Sequence, residues 1–240
     1  MSKSFIPITI ILLLIPVFLL AETFDLSIKY LGVSVVRVSM INEDSTLIVK
    51  AKSTFIASIA SNMDNSYKSV YSGNFLPYTY EKHIDQGDYF ENRTIEYNRQ
   101  TLTAKRISNI SPDRNCEYPI NSESRDFFSA LFYLREAIDE PTGEFWVDAN
   151  KLIWRVKYTV VGKEKISTKF GKRSAIKVKM NFQNYLNGEK ERSDMLTNNL
   201  VNEERSLFFW FSDDEQRLPL KAKFMMKPFA VVWKLNSYTE

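Results

Sequence analysis

Apolar and polar side chains alternate with a period of two along most of the chain, and this pattern predicts β-strands. The alternation is clearest in Phe24–Tyr30, Leu47–Phe55, Tyr78–Ile84, Leu152–Val160 and Leu218–Met226. A period of two places one face of each strand on a core and the other face in solvent. Because short polar turns separate these segments, the pattern predicts about twelve strands that pair mostly as antiparallel neighbours.

Three segments depart from simple alternation. Near Val35 the apolar phase shifts by one residue, which is typical of a β-bulge or a sharp bend at Val35–Val36. Leu207–Phe211 is apolar on both faces, so it predicts a strand that is central in its sheet or covered on both sides. Asn184–Ser206 is polar and charged with little periodicity, and we interpret it as a long mobile loop.

Ser122–Ile138 is the one segment with a convincing helical period. At about 100° per residue, Phe127, Leu131, Leu134 and Ile138 fall in one narrow sector. A single helix cannot cover both faces of so many strands. The predicted fold is therefore mainly β, a strongly curved antiparallel sheet in the form of a β-roll or open barrel, with one amphipathic helix filling its concave side.

Met1–Ala21 has the pattern of an export signal. Lys3 precedes the apolar run Phe5–Leu20, and Ala21 is a small residue at the expected cleavage point. The run is shorter than the roughly 20 residues that a membrane span needs, and an uncleaved membrane anchor is the alternative. We predict a periplasmic protein that is cleaved near Ala21 and has a single domain over residues 22–240.

Composition excludes several classes of site. The chain has 32 basic and 29 acidic residues, and the basic ones are scattered among acids, unlike those of a nucleic-acid-binding protein. One cysteine (Cys116) and one histidine (His83) cannot supply the ligands of zinc, haem or iron–sulfur sites, and a single cysteine cannot form an internal disulfide. We therefore predict no metal, no cofactor, no nucleic-acid partner and a monomeric protein.

The polar residues of the predicted helix suit a structural role better than a catalytic one. Asp126, Ser129 and Tyr133 lie away from the apolar stripe, but no histidine or lysine base lies within one turn of Ser129. We predict that Ser122 or Ser124 caps the helix, with Asp126 in the first turn, where a negative charge favours the helix dipole.

A second group of polar residues follows Leu207–Phe211. Arg135 lies close to the apolar stripe of the helix, so we predict a partly buried ion pair between Arg135 and Asp213 or Asp214. The run Asp213–Glu215 could supply carboxylates for acid chemistry or for calcium, but adjacent strand residues point to opposite faces, so these carboxylates do not converge. We predict a structural role for this run and for Arg217.

Several strands carry large apolar residues on both sides, more than one helix can cover. Spare apolar and methionine-rich surface inside a curved sheet is what a pocket for a lipid or an acyl chain needs. Core strands that are covered on both faces are the alternative explanation. The candidate ligand-binding residues are Phe128, Phe132, Phe209, Phe211, Met225 and Trp233.

Two stretches have the form of longer motifs. Asp126–Arg135 is similar to a D-x-x-S-A-x-Y-Y-x-R helix, and Trp210–Pro219 is similar to a W-x-S-D-D-x-x-R-x-P hairpin. Tyr158–Glu164 and Phe170-Gly171 lie between them with matching order and spacing. In these features the chain resembles a bacterial exported family of unknown function, DUF3108. The resemblance implies a periplasmic β-roll similar to lipoprotein carriers, and it implies no established activity.

The leading hypothesis is a periplasmic, non-enzymatic protein of the cell envelope. It binds a lipid, the acyl chain of a lipoprotein or another apolar ligand in the hollow of the β-roll. The alternative is a structural or adaptor protein that contacts an envelope partner through residues 184–206. A hydrolase that uses Asp126, Ser129 or Asp213–Glu215 is a third hypothesis.

Overall fold

The structure is a computed structural model that describes residues 21–59 and 61–240. The predicted export signal therefore lies, apart from Ala21, outside the described residues. Across the described part of the chain, fifteen strands belong to one sheet. In chain order the strands are β1 (Glu22–Tyr30), β2 (Val33–Glu43), β3 (Thr46–Ser53), β4 (Asp64–Ser72), β5 (Leu76–Gln86), β6 (Tyr89–Asn98), β7 (Thr103–Ser108), β8 (Cys116–Pro119), β9 (Ser124–Arg125), β10 (Thr142–Ala149), β11 (Leu152–Thr168), β12 (Gly171–Asn184), β13 (Leu207–Ser212), β14 (Pro219–Met226) and β15 (Phe229–Thr239).

Strands that follow one another in the chain are also neighbours in the sheet. The order runs from β8 back to β1 and then from β15 back to β9, so β1 and β15 join two halves at the centre. Every pair is antiparallel except β9 with β10, which is parallel. The result is one open, curved, mixed sheet with β8 and β9 at its edges. The predicted mainly β, curved and mostly antiparallel sheet is confirmed.

Three short helices accompany the sheet within residues 21–59 and 61–240. They are α1 (Phe55–Ser58), α2 (Phe127–Ala137) and α3 (Met195–Leu200). Single 3-10 turns occupy Gly73–Phe75 and Pro112–Arg114. In the same part of the chain, no helix is long and apolar enough to cross a membrane.

The helix α2 lies on the core-facing side of the sheet. The Phe132 ring meets Phe24 of β1 at 5.8 Å, and the Phe128 ring meets Tyr67 of β4 at 4.9 Å between centroids. On its other side, α2 places Tyr133 5.9 Å from Phe145 of β10. Since β4 and β10 belong to different halves of the sheet, the sheet curves around α2, as predicted.

The helix α2 is shorter than predicted and begins with a different cap. Asp126 is the N-cap, and its carboxylate accepts hydrogen bonds from the backbone N–H groups of Phe128 at 3.0 Å and Ser129 at 3.1 Å. A cap at Ser122 or Ser124 is therefore wrong, because Ser124 belongs to β9. Ser129 is fully buried and donates to Asp126 at 2.5 Å, so the predicted polar side of the helix also faces the core.

The two smaller strand predictions are confirmed. In the β1–β2 pair, Ile28 lies opposite Val36 and Lys29 lies opposite Ser34, which leaves Val35 as the extra residue of a bulge. The strand β13 lies between β12 and β14 and is buried along both faces except at Phe208.

Candidate ligand-binding cavity

An apolar cavity of about 200 Å³ lies between α3 and the centre of the sheet. Its floor comes from β1, β2, β14 and β15, and its cover comes from α3. The main side chains of the floor are Ile28, Val36, Phe224, Met226, Val231 and Trp233. Those of the cover are Met195, Leu196 and Leu200, with Asn199 beside them. The wall is therefore almost free of polar groups.

The bulge in β2 shapes one side of this cavity. In a regular strand, consecutive side chains point to opposite faces. At the bulge the extra residue breaks that alternation, and both Val35 and Val36 line the cavity. The shift of apolar phase in the sequence thus has a direct consequence for the shape of the site.

The cover of the cavity is anchored by buried charge. Asp194 is the N-cap of α3 and accepts hydrogen bonds from the backbone N–H of Thr197 at 2.7 Å and from its hydroxyl at 2.6 Å. The ammonium group of Lys82 on β5 donates to Asp194 at 3.0 Å, and both side chains are buried. The phenol of Tyr67 also donates to Asp194, at 2.8 Å. The anchor thus ties α3 to β4 and β5.

Burial and the neighbouring charge shift the pKa values of Asp194 and Lys82 in opposite directions. Burial raises the pKa of Asp194, but the Lys82 ammonium and the donors of Thr197 outweigh it and lower the pKa to about 2. Burial lowers the pKa of Lys82, and Asp194 offsets part of that effect. Asp194 is therefore ionised at neutral pH and holds the start of α3 through a charged hydrogen bond.

The prediction of a long mobile loop at Asn184–Ser206 is wrong in its second half. That half contains α3, whose Leu196 and Leu200 are buried in the core, and the buried anchor at Asp194. The polar composition predicted exposure to solvent, but polar residues of this segment form hydrogen bonds with polar residues inside the sheet. Contact of this segment with an envelope partner remains a prediction.

The anchor continues into a larger polar cluster inside the sheet. Arg93 donates to both carboxylate oxygens of Glu91, at 3.0 and 2.7 Å, and to the amide oxygen of Asn150 at 3.0 Å. The same amide oxygen accepts from Lys82 at 3.4 Å. Sequence reasoning missed this cluster. Its signal was present, since Lys82, Glu91 and Arg93 occupy positions in the apolar, inward phase of β5 and β6.

A buried carboxyl group lies next to this cluster. Asp148 on β10 accepts hydrogen bonds from the phenols of Tyr97 at 3.0 Å and Tyr118 at 2.6 Å. Burial raises the pKa of Asp148, and the two phenols offset part of that effect. The cluster thus joins β10 to strands of the N-terminal half of the sheet through buried hydrogen bonds.

The predicted partner of Arg135 is wrong. Arg135 pairs with Glu22 of β1, with its two terminal nitrogens 3.0 and 2.9 Å from the two carboxylate oxygens. Asp213 instead pairs with Lys163 at 2.7 Å. The hydroxyl of Ser212 donates to Asp214 at 2.5 Å. Arg135 pairs with Glu22 and not with Asp213 because β1 passes beside the C-terminal part of α2.

Arg217 meets the C-terminal end of α2. Its guanidinium lies 2.8 Å from a carboxylate oxygen of Asp139 and 3.7 Å from Asp213. A structural role for Arg217 remains a prediction.

The structure disperses the six predicted ligand-binding residues. Trp233 lines the apolar cavity. Met225 is 48% exposed. The remaining four are buried in the core, and they are Phe128, Phe132, Phe209 and Phe211. A role in ligand binding stays a prediction for all six, and the residues of α3 that cover the cavity are the ones that sequence reasoning missed.

The candidate catalytic groups are poorly placed for chemistry. Asp126 and Ser129 are hydrogen-bonded to each other and buried, and Asp126 also accepts from Ser69 at 2.8 Å. A substrate in solvent has no access to them. Among the described residues, no group of three His, Cys, Asp or Glu side chains is arranged to hold a metal ion.

One solved structure shares the fold of this chain at very low sequence identity. The β-barrel-like protein of domain of unknown function DUF1849 from Brucella abortus is 9% identical, with a TM-score of 0.55 over 92% of this chain and 97% of that chain. This likeness shows the fold alone. The lipoprotein LppX from Mycobacterium tuberculosis is 10% identical, with a TM-score of 0.34 over 93% of this chain and 88% of that chain.

Comparisons of sequence lead to one family. No curated protein matches the chain. The model of one family, described as a protein of unknown function (DUF3108), matches residues 19–228, which is most of the chain. The motifs in Asp126–Arg135 and Trp210–Pro219 both lie within the matched residues. The chain therefore belongs to the DUF3108 family of proteins of unknown function.

Proposed function

We propose that this chain is a non-enzymatic periplasmic protein that binds an apolar ligand in the cavity beneath α3. The ligand is a lipid or the acyl chain of a lipoprotein. The observation that carries the proposal is the composition of the cavity wall, in which aliphatic, aromatic and methionine side chains from four strands and one helix line the space. Walls of this kind are typical of sites that bind apolar molecules.

The size of the cavity limits what it holds in this conformation. Its volume of about 200 Å³ lies below the roughly 300–1,000 Å³ that is usual for small-molecule sites. The space therefore suits one short acyl segment. A longer chain needs additional room, which a displacement of α3, the cover of the cavity, would supply.

The chemistry of the site fits binding without a reaction. The cavity wall contains no carboxylate, amine or thiol among the residues that define it, and its polar atoms belong to Asn199 and Tyr30. Such a wall excludes water and holds an acyl chain by burial of apolar surface. The pattern of Met1–Ala21 supports export, which would place the protein where envelope lipids are handled.

The first test is the content of the cavity. The protein purified from the periplasm is examined by native mass spectrometry and by lipid extraction, and the delipidated protein is titrated with a fluorescent fatty acid. We expect a bound lipid or stoichiometric binding of the probe. A ligand-free protein that also binds no lipid probe would contradict the proposal.

A matched pair of variants locates the binding site. Val36→Trp places a large ring in the cavity, whereas Val161→Trp adds the same ring at an exposed strand position that does not line the cavity. We expect Val36→Trp to weaken probe binding at least about tenfold, which is 1.4 kcal/mol, and Val161→Trp to bind as the wild type does. Equal affinities for both variants would place the ligand elsewhere.

A further inference from the structure

Three connections of the sheet lie together at the end where the cavity opens. The β1–β2 turn follows Tyr30, and the β14–β15 turn precedes Val231, which is paired with Tyr30. The β3–β4 connection contains α1 and begins after Ser53, which is paired with Val36. The pairing thus brings the two turns and α1 to the same end of the sheet.

These three connections expose an unusual amount of apolar surface. In α1 and the residue after it, Phe55 is 84% exposed, Ile56 68% and Ile59 77%. Positions i, i+1 and i+4 of a helix lie within about 100° of one another, so these three side chains share one face. The adjacent turns add further exposed residues. Together they form the apolar rim, which consists of Leu31, Val33, Phe55, Ile56, Ile59 and Phe229.

The apolar rim is continuous with the cavity. The backbone N–H of Thr54, at the start of α1, donates to the carbonyl of Val35 at 2.9 Å, and Val35 lines the cavity. On the other side, the Phe229 ring lies 6.0 Å from the ring of Tyr30, another residue of the cavity wall. An apolar surface therefore leads from the outside of the molecule to its apolar interior.

The charges of the rim suit an anionic surface. The three connecting segments, residues 31–33, 54–62 and 225–229, contain no aspartate or glutamate, and their one charged residue is Lys227, which is exposed. Lys29 precedes the first segment, and the exposed ion pair of Lys52 and Asp64 flanks the second. Exposed apolar side chains with lysines and few carboxylates beside them are typical of segments that insert into the interface of a membrane with anionic lipids.

We propose that the apolar rim docks onto the surface of an anionic lipid bilayer. Phe55, Ile56 and Ile59 enter the boundary between headgroups and acyl chains, and Lys227 contacts the headgroups. The mouth of the cavity then faces the membrane, so an acyl chain passes between bilayer and cavity without crossing water. This use of the rim rests on the proposed function of the cavity, whereas the docking itself depends on the rim alone.

The docking is tested by flotation of the full-length mature protein with vesicles. One set contains phosphatidylcholine only, and the other contains equal parts of phosphatidylcholine and phosphatidylglycerol. We expect the protein to float with the anionic vesicles and to bind the neutral ones more weakly. The triple variant Phe55→Ser, Ile56→Ser, Ile59→Ser is expected to lose about tenfold or more in vesicle affinity, since membrane binding scales with the apolar area buried.

A matched triple variant controls for the general loss of exposed apolar surface. Tyr78→Ser, Leu102→Ser and Val161→Ser remove three exposed apolar residues that do not belong to the apolar rim. We expect this variant to float as the wild type does. Because all six side chains are exposed, both variants should keep the thermal unfolding midpoint of the wild type, which is measured alongside.

Two results would overturn the docking. One is a rim variant that floats as well as the wild type. The other is a wild-type protein that does not float with anionic vesicles, including the case in which it self-associates through the rim. Titration with the fluorescent fatty acid in solution distinguishes failure of the docking from failure of the proposed function. If the cavity binds the probe, the rim variant keeps wild-type affinity for it. If the wild-type protein does not bind the probe, the proposed function is refuted, and the flotation result still decides the docking.

Discussion

At the scale of single residues, the position of α3 depends on one buried ion pair. Lys82 and Asp194 are 112 positions apart in the chain and meet at 3.0 Å in an interior that excludes water. Removal of one partner leaves the other charge buried without compensation, which is strongly destabilising. The pair therefore fixes where α3 begins and makes the folded state sensitive to the loss of either charge.

This ion pair predicts a pH dependence of stability. The pKa of Asp194 is lowered from its usual 3.8 to about 2 in the folded protein, so the stabilisation is present above about pH 4 and is lost as the pH falls toward 2. Asp194→Asn keeps a helix-capping side chain but removes the charge. We expect the difference in free energy of unfolding between wild type and variant to shrink by about 2 kcal/mol between pH 5 and pH 2.

Urea unfolding at several pH values measures this difference. Asp113→Asn removes one negative charge at an exposed position and controls for the change in net charge. A difference between wild type and Asp194→Asn that stays constant over the whole pH range would contradict the assigned role of the pair.

At the scale of elements, the two main helices differ in how firmly they are held. The helix α2 packs between both halves of the sheet and is buried on nearly every side. The helix α3 has only six residues and covers a cavity, so fewer packed atoms hold it in place. Such short helices depend on tertiary packing for their stability. Local opening should therefore be easier at α3 than at α2.

Hydrogen exchange tests this difference directly. We expect the backbone amides of α3 to exchange faster than those of α2, and to slow when a fatty acid is added, because a ligand that binds the closed form stabilises it. Peptides from α2 serve as the internal reference. Equal protection of both helices, or no response of α3 to a bound ligand, would contradict a movable cover.

At the scale of the whole molecule, the centre of the sheet is made by strands from opposite ends of the chain. The strand β15 pairs with β1 on one side and with β14 on the other. It also contributes Trp233, which is 1% exposed. The two halves of the sheet are thus joined through the last strand, and the open edges are the short strands β8 and β9, which limits edge-to-edge association.

Truncation tests how much the fold depends on β15, the strand that joins the two halves. Deletion of residues 229–240 removes β15 and leaves β1 and β14 without their shared neighbour. We expect the truncated protein to lose cooperative thermal unfolding, as followed by circular dichroism, because the core around Trp233 opens to water. Deletion of Glu240 alone leaves β15 complete and should unfold as the wild type does. Cooperative unfolding of the longer truncation would show that the halves are independent.

Local patterns predicted the elements well and the contacts between them poorly. The bulge at Val35 was visible because a change of apolar phase is a property of neighbouring residues. The partner of Arg135 was not visible, since it depends on which strand passes beside α2, and Glu22 lies 113 positions away. The segment around Asp194 was misjudged for the same reason, because its polar residues find partners on β4 and β5.

The amino-acid sequence by itself determined the β-rich class, the position of the main helix and the face that each regular strand turns inward, because these follow from side-chain periodicity over a few residues. Only the tertiary structure decided that α3 covers an apolar cavity, that Lys82 holds Asp194, and that the apolar rim lies beside that cavity. The physical reason is that these features join segments far apart in the chain. Their proximity is set by strand order and by the curvature of the sheet.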